Sequence, residues 1–126
     1  MSLRSPLGRA KGLGSAHEGT GHWWTQRITS IALVPLTLWF VASVIAMAGA
    51  DYFAMQEWLR SPVVAGILIL FLVAGFYHGA LGMQVVIEDY VHHEGAKIAA
   101  LMIVNGLSLV LGLAGVLAIL SVLFKA

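Results

Sequence analysis

The chain has 126 residues, of which 60% are hydrophobic and only 10% are charged, and its net charge is +1. A water-soluble domain of this length buries only part of the apolar surface that it carries, so the composition excludes one and indicates a protein surrounded by lipid. The sequence has no cysteine, which excludes disulfides, thiolate zinc sites and cysteine-held iron–sulfur clusters on this chain, and the small net charge gives no indication of nucleic-acid binding.

The first twenty residues are predicted to form a flexible basic tail. Residues 1–20 are rich in Gly and Ser and carry more basic than acidic side chains. An organelle transit peptide is an alternative interpretation, because it is also Arg-bearing and acid-poor, but the glycines and the weak amphipathicity argue against it. We therefore assign residues 1–20 to a tail and residues 21–126 to a membrane anchor domain.

The remainder is predicted to be an all-α membrane protein with three transmembrane helices. Apolar segments at about residues 28–50, 63–87 and 98–124 each exceed the roughly 20 residues that a helix needs to cross about 30 Å of hydrocarbon. They lack the alternation of barrel strands, so helices are expected. Pro35 is expected to kink the first span. In the third span, small and polar residues recur on one stripe suited to close helix packing: Asn105, Ser108, Gly112 and Gly115.

The basic residues predict how the spans are oriented. A cytoplasmic N-terminus places five Lys or Arg residues on the cytoplasmic side and two on the other, so the C-terminus is expected on the opposite side. The segment 88–97 then forms a cytoplasmic loop, and the segment 51–61 forms a loop on the outer side. The five cytoplasmic residues are Arg4, Arg9, Lys11, Arg27 and Lys97.

One histidine, His78, lies inside the second span, in the stretch GFYHGALG. At about 100° per residue, Gly75 and Gly82 lie on nearly the same face one turn to either side of it, and Asp89 follows three turns later. Leu81 is the bulky exception, so the imidazole has a partial clearing, which a planar macrocycle bound to the helix would need. A charge at this depth costs about 2.5 kcal/mol or more, so the histidine calls for an explanation.

Three explanations of His78 remain open on the residues alone. The first is a hydrogen bond to another helix, with Gly75 and Gly79 serving ordinary close packing. The second is ligation of haem iron through Nε2, and the third is a proton relay. A haem with two histidine ligands would take the second from another polypeptide, because the other histidines of this chain are expected at or beyond the interface: His17, His22, His92 and His93.

The cytoplasmic ends of the first two spans carry further polar candidates. Arg27 is suited to pairing with haem propionates and equally to reaching lipid phosphates. Tyr90, taken alone, is typical of an aromatic residue at the membrane interface. His92 and His93 are adjacent and would splay apart on a helix, which favours a solvated loop over a metal site.

The string H-G-x-x-G-M-x-x-V-x-x-D-Y, from His78 to Tyr90, resembles the hydrophobic membrane anchor subunit of succinate dehydrogenase, respiratory complex II, of the D type. That family has three membrane helices, with a histidine in the second and Asp-Tyr at its end. The spacing from His78 to Asp89 fits this signature. Residues 21–27 and the helix that follows also resemble the family's first helix, and the likeness covers roughly residues 20–124.

The resemblance implies a role for each of five residues. His78 would be one axial ligand of haem b, and a companion C-type anchor would supply the other histidine. Tyr90 would donate a hydrogen bond to a ubiquinone carbonyl, and Asp89 would orient this region and help to deliver protons. Arg27 would lie near the haem propionates and the quinone. His22 would correspond, with a less regular spacing, to a polar cofactor-binding residue shortly before that arginine.

The resemblance also implies partners and a location. A flavoprotein subunit and an iron–sulfur subunit would dock on the cytoplasmic face and hold the flavin and the clusters, so that this chain has no complete active site of its own. Electrons would pass from succinate to ubiquinone in the bacterial cytoplasmic (inner) membrane, with the mitochondrial inner membrane as the second choice. The alternatives are a fumarate reductase anchor and a non-redox structural or transport subunit.

Overall fold

The computed structural model describes residues 5–10 and 16–125, and within them every regular element is a helix. Three helical segments are long and apolar enough to cross a membrane: Gly19–Ala46, Pro62–Tyr90 and Glu94–Leu123, with 28, 29 and 30 residues, or about 42–45 Å of axial length. The predicted all-α architecture with three spans is therefore confirmed. The helices are α1 (Pro6–Ala10), α2 (Ala16–Ala46), α3 (Tyr52–Leu59), α4 (Pro62–Tyr90) and α5 (Glu94–Leu123).

The first long helix is displaced toward the N-terminus relative to the predicted span. α2 begins at Ala16 and ends at Ala46, whereas the apolar run extends to about residue 50. A turn over residues 47–49 ends it, and Gly49 there has φ +84°, a left-handed conformation that glycine adopts without steric cost. Hydropathy cannot detect this turn because its residues are as apolar as the helix. Part of the predicted tail is helical, and residues 1–4 and 11–15 of it lie outside the described residues.

The segment predicted as an outer loop instead contains the helix α3. Asp51 precedes it with extended backbone, and its carboxylate accepts a hydrogen bond from the backbone N–H of Ala54 at 2.8 Å. This is an N-cap, which satisfies a free N–H of the first helical turn. Trp58 of α3 stacks on Trp39 of α2, with ring centroids 6.1 Å apart. The prediction was wrong because an aspartate before eight helix-compatible residues was not given the weight of a cap.

The loop between α4 and α5 is shorter than predicted. α4 continues to Tyr90 and α5 begins at Glu94, which leaves only residues 91–93 between them. Nδ1 of His93 accepts a hydrogen bond from the backbone N–H of Ala96 at 3.2 Å. His93 is therefore an N-cap of α5.

α4 lies between the other two long helices. Phe40 of α2 stacks on Phe71 of α4 at a centroid distance of 4.8 Å. On the other side, a Cβ added to Gly112 of α5 would lie 3.5 Å from Phe76 of α4, so the α5 backbone comes close there. The predicted packing role is thus confirmed for this glycine of the α5 stripe. Among the described residues, α2 and α5 each pack on α4 and make no close backbone contact with one another.

Almost all of the apolar surface of the three spans is exposed. Within the described residues, the buried apolar side chains are few and all belong to α4. Large aliphatic side chains on α2, α4 and α5 face outward, as expected where lipid or a neighbouring helix replaces water. The buried residues are Ala65, Leu68, Leu81 and Ile87.

Candidate functional site

His78 joins α4 to α2 through one ring nitrogen. Its Nδ1 lies 3.0 Å from the hydroxyl oxygen Oγ1 of Thr29, and the imidazole is half-buried. The interhelical hydrogen bond, one of the three explanations for this histidine, is therefore present. It leaves the other two open, because it uses Nδ1 and no hydrogen bond from any described residue reaches Nε2.

The predicted clearing beside His78 is open at Gly75 but not at Gly82, and the neighbouring Gly79 extends it. A Cβ built on Gly75 or on Gly79 would meet no heavy atom within 4 Å. A Cβ built on Gly82 would meet only the side-chain amide nitrogen of Gln26, at 3.9 Å. A Cβ at either of the first two positions would therefore occupy open space next to the imidazole.

The clearing lies in the groove between α2 and α5. At about 100° per residue, Gly75 and Gly79 project roughly 60° and 100° from His78 around α4. His78 faces α2. Phe76, which contacts α5, projects about 160° from His78, in the same direction of rotation around α4 as the two glycines. The two glycines therefore lie between the two packed faces of α4, where α2 and α5 do not close over the surface.

The side-chain amide of Gln26, one of the polar groups at the start of the first span, is a feature of this groove to which the sequence assigned no role. Its Oε1 is buried and has no hydrogen-bond partner among the described residues, although Nε2 lies close to Gly82 of α4. An unpaired buried amide oxygen costs about 1–3 kcal/mol. A donor from water, a ligand or another subunit is therefore expected at this position.

The sequence assigned no role to Thr29 either, and the reason is the same for both residues. Thr29 follows Gln26 by three residues, so their side chains lie on neighbouring parts of one helix face. A threonine and a glutamine at this spacing within an apolar helix were the available signal. Only the packing of α2 on α4 shows that this face, rather than another, meets His78.

Asp89 and Tyr90 lie at the exposed end of α4, separate from His78. Tyr90 is 78% exposed, and within the described part of the chain neither residue makes a hydrogen bond or an ion pair. Asp89 is 11 residues from His78, or about 16 Å along the helix axis. Their polar groups are therefore accessible at the end of α4.

Arg27 is not brought to Asp89 or Tyr90 within this chain. It lies two residues from Thr29, so its depth is close to that of His78. It projects about 160° around α2 from Thr29, on the side turned away from α4. Its guanidinium carbon lies 5.3 Å from the ring centroid of Trp23, a cation–π contact, and no described residue forms an ion pair with it.

His22 faces a different space from His78. It lines a cavity of about 550 Å³ whose walls are mainly apolar residues of α4 and α5. Gln84 also lines this cavity, and its Nε2 donates to Oε1 of Glu88 at 2.9 Å. Neither His78 nor Tyr90 borders it. The structure therefore does not bring His22 together with the other predicted site residues. Polar groups of α5 reach the same space: Asn105 and Ser108.

Comparison with known proteins shows which family has this sequence pattern. Residues 1–122 match the family described as succinate dehydrogenase/fumarate reductase transmembrane subunit. The chain is similar to proteins named succinate dehydrogenase hydrophobic membrane anchor subunit from three bacteria. Identity is 39% over 89 residues, 71% of each chain, for Rickettsia bellii. It is 34% over 102 residues for Paracoccus denitrificans, which is 81% of this chain and 78% of that one. It is 32% over 104 residues, 82% of each chain, for Rickettsia conorii. No solved structure matches significantly.

Proposed function

The chain belongs to the transmembrane subunit family of succinate dehydrogenase and fumarate reductase, and from this premise we propose that it ligates haem b and forms part of a quinone-reduction site. As a hydrophobic membrane anchor of an oxidoreductase complex, it associates with the other subunits of that complex. The proposal assigns it to succinate:quinone oxidoreductase, which passes electrons from succinate to ubiquinone.

The observation that carries the haem proposal is the environment of His78. One ring nitrogen is hydrogen-bonded to Thr29, the other has no partner among the described residues, and the clearing at Gly75 and Gly79 lies beside the ring. These residues fit a haem ligated from α4, because Nε2 is available and no side chain of this chain fills the adjacent groove. Bound haem supplies one-electron chemistry, and His78 holds and orients it.

The second haem ligand is assigned to a companion C-type anchor. Among the histidines whose side chains the structure describes, none of the others lies near the depth of His78: His22 is about 10 Å from Thr29 along α2, and His92 and His93 follow the end of α4. The groove that contains the clearing is open toward the outside of the chain. An imidazole from a neighbouring subunit on that side would complete the coordination.

The quinone proposal rests on Tyr90 and Asp89. Reduction of a quinone needs two protons as well as two electrons, and the protein must hold the head group near proton donors. The Tyr90 hydroxyl has no partner among the described residues and is exposed, so it is available to donate a hydrogen bond to a quinone carbonyl. Asp89 precedes it and is also exposed, so we assign it to orienting this region and delivering protons from water.

Arg27, His22 and Gln26 take supporting roles in the proposal. Arg27 projects away from α4, so its guanidinium is assigned to a carboxylate or phosphate outside this chain, either a haem propionate or a lipid head group. Gln26 has an unpaired buried oxygen, and a donor from the bound cofactor's surroundings would satisfy it. His22 keeps its proposed cofactor-binding role. A cofactor would reach it through the cavity on the other side of α4 from the clearing.

The proposed partners are the C-type anchor, an iron–sulfur subunit and a flavoprotein subunit, with the lipid bilayer as solvent. The bacterial cytoplasmic (inner) membrane is the proposed location, supported by the Rickettsia and Paracoccus relatives, and the mitochondrial inner membrane is the second choice. The family description includes fumarate reductase, so an anchor of that enzyme is the alternative. The cytoplasmic N-terminus and the division at residue 21 remain predictions.

The proposal is tested by purifying the complex from membranes through a tag on this chain. We expect a flavoprotein and an iron–sulfur protein to copurify, a b-type α band after dithionite reduction, and succinate–quinone reductase activity. A complex without flavoprotein would refute the anchor role. A colourless complex would refute haem binding. If that colourless complex still reduced quinone, the role of Tyr90 would be decided by the Tyr90→Phe variant.

The clearing beside His78 provides a prediction about haem content. We expect Gly75→Leu to lower haem per complex at least about 10-fold, because the new side chain begins in open space next to the imidazole, where an added Cβ meets no heavy atom within 4 Å. A fall of that size requires a loss of at least about 1.4 kcal/mol of binding free energy. Haem is measured as pyridine haemochrome per flavin.

The matched control for this prediction is Gly66→Leu. Gly66 lies on the same helix and also has no heavy atom within 4 Å of an added Cβ, but it is 12 residues, or about 18 Å, from His78. Its haem content is expected to equal that of the wild type. Full haem content in Gly75→Leu would show that the clearing is not where the macrocycle binds.

A further inference from the structure

We infer that Thr29 is a positioning residue for His78, whose hydroxyl keeps the proton of the imidazole on Nδ1 and so leaves Nε2 free to bind iron. This inference rests on the proposed haem ligation and extends it to a residue of a different helix. By this inference, a residue of α2 determines which ring nitrogen of His78, on α4, carries the proton.

The first step is the position of the single hydroxyl proton of Thr29. Oγ1 lies 2.8 Å from the carbonyl oxygen of Thr25 and 3.1 Å from that of Gln26, in the preceding turn of the same helix. A threonine inside a helix commonly donates its proton to a carbonyl three or four residues earlier. Carbonyl oxygens accept hydrogen bonds but do not donate them, so both of these contacts require the hydroxyl as donor.

The second step follows for His78. With the hydroxyl proton directed to a backbone carbonyl, Oγ1 can only accept from Nδ1 at 3.0 Å. A neutral imidazole with its proton on Nδ1 has a lone pair on Nε2, the form in which histidine binds a metal. Thr29 therefore selects the tautomer that coordinates iron.

The reverse arrangement is less favourable. If Thr29 donated to Nδ1, both backbone carbonyls would lose this donor, and the proton of His78 would move to Nε2. No described residue offers an acceptor at Nε2, so this N–H would be left unpaired, at a cost of about 1–3 kcal/mol. Iron could then bind only after that proton had left.

A hydrogen bond donated by the ring nitrogen that does not bind the metal, here Nδ1, also affects the metal. It fixes the rotation of the ring and raises the basicity of the ligand, which favours the oxidised iron. Removing the acceptor is therefore expected to raise the reduction potential of the haem and to weaken its retention. A threonine that only packed against His78 would not produce a change in potential.

Ser30 provides a matched control on the same helix. Its hydroxyl donates to the carbonyl oxygen of Gln26 at 2.6 Å, so it also bonds back to its own helix, but it makes no hydrogen bond to His78. Ser30→Ala removes a hydroxyl next to Thr29 and keeps the contact between Thr29 and His78. It separates the loss of any α2 hydroxyl from the loss of this particular acceptor.

The experiment compares Thr29→Val, Thr29→Ala, Thr29→Ser and Ser30→Ala in the purified complex with all of its subunits. Potentiometric titration of the haem α band and the rate of haem transfer to apomyoglobin are measured for each. We expect the Val and Ala variants to show a higher potential and about 10–100-fold weaker haem retention, the usual effect of losing such a partner. The Ser and Ser30→Ala variants are expected to match the wild type.

The outcomes separate this inference from the proposal on which it rests. Wild-type complex without haem would refute the ligation itself. Haem in the wild type together with an unchanged potential in Thr29→Val or Thr29→Ala would refute only the role of Thr29. A shifted potential in Thr29→Ser, which keeps the hydroxyl, would also overturn it, and this variant provides the test if the two larger changes prevent assembly.

Discussion

Replacement of His78 by alanine is expected to remove the b-type α band and to lower haem content more than 10-fold in the assembled complex. The imidazole is the only side chain near this depth of the described chain that offers a free ring nitrogen beside an open groove. Alanine offers iron no ligand, and the companion histidine would hold haem from one side only. The measurement is the reduced-minus-oxidised spectrum, normalised to the flavin content of the complex.

The control for this variant is His92→Ala. His92 is an exposed residue of the short connection between α4 and α5, and no role in haem binding is assigned to it. Its spectrum is expected to equal that of the wild type. An undiminished α band in His78→Ala would contradict axial ligation and leave the bond to Thr29 as a packing contact alone.

Replacement of Tyr90 by phenylalanine is expected to reduce succinate–quinone reductase activity about 10-fold or more and to leave succinate oxidation by an artificial dye unchanged. The change removes only the hydroxyl, which has no partner within the described chain, so the fold is expected to keep its stability. A loss of one hydrogen bond to the reacting carbonyl, of about 1.4 kcal/mol, corresponds to a tenfold lower rate. The two activities are measured on the same membranes.

Tyr52→Phe serves as the comparison for this substitution. Tyr52 is a tyrosine of α3, at the other end of α4 from Tyr90, and its hydroxyl accepts from Nε2 of Gln56 at 2.7 Å. Quinone reduction is expected to be unaffected by its loss. An equal fall of quinone and dye activities in Tyr90→Phe would show general damage to the complex and count against a role at the quinone.

The three spans could be predicted from the sequence because their apolar length alone satisfies the requirement of the bilayer. The helix ends could not be predicted from hydropathy alone, because hydropathy does not detect a glycine in a left-handed turn or an aspartate that caps a helix. The turn after α2 depends on the left-handed backbone conformation of Gly49. The start of α3 depends on the hydrogen bond from the backbone N–H of Ala54 to the carboxylate of Asp51. Both features depend on a single residue, and neither produces a clear change in the hydropathy of its segment.

The candidate site was predictable in part for a related reason. His78 is conspicuous because it is ionisable and lies deep in an apolar span, and its small neighbours follow from the period of one helix. Thr29 and Gln26 act across an interface, so their relevance depends on the rotation and register of α2 against α4. One helix's periodicity contains no information about either. The same rotation turns Arg27 away from α4, which the sequence could not show.

The gap between α2 and α5 bears on how the subunit matures in the cell. The described residues of these two helices do not close the gap between them, so newly inserted chains would present an unfinished surface to the lipid, including a half-buried imidazole and an unpaired amide. Membrane quality-control proteases recognise such partly assembled species. The subunit is therefore expected to accumulate only in step with the polypeptides that cover this face, and to be short-lived when produced without them.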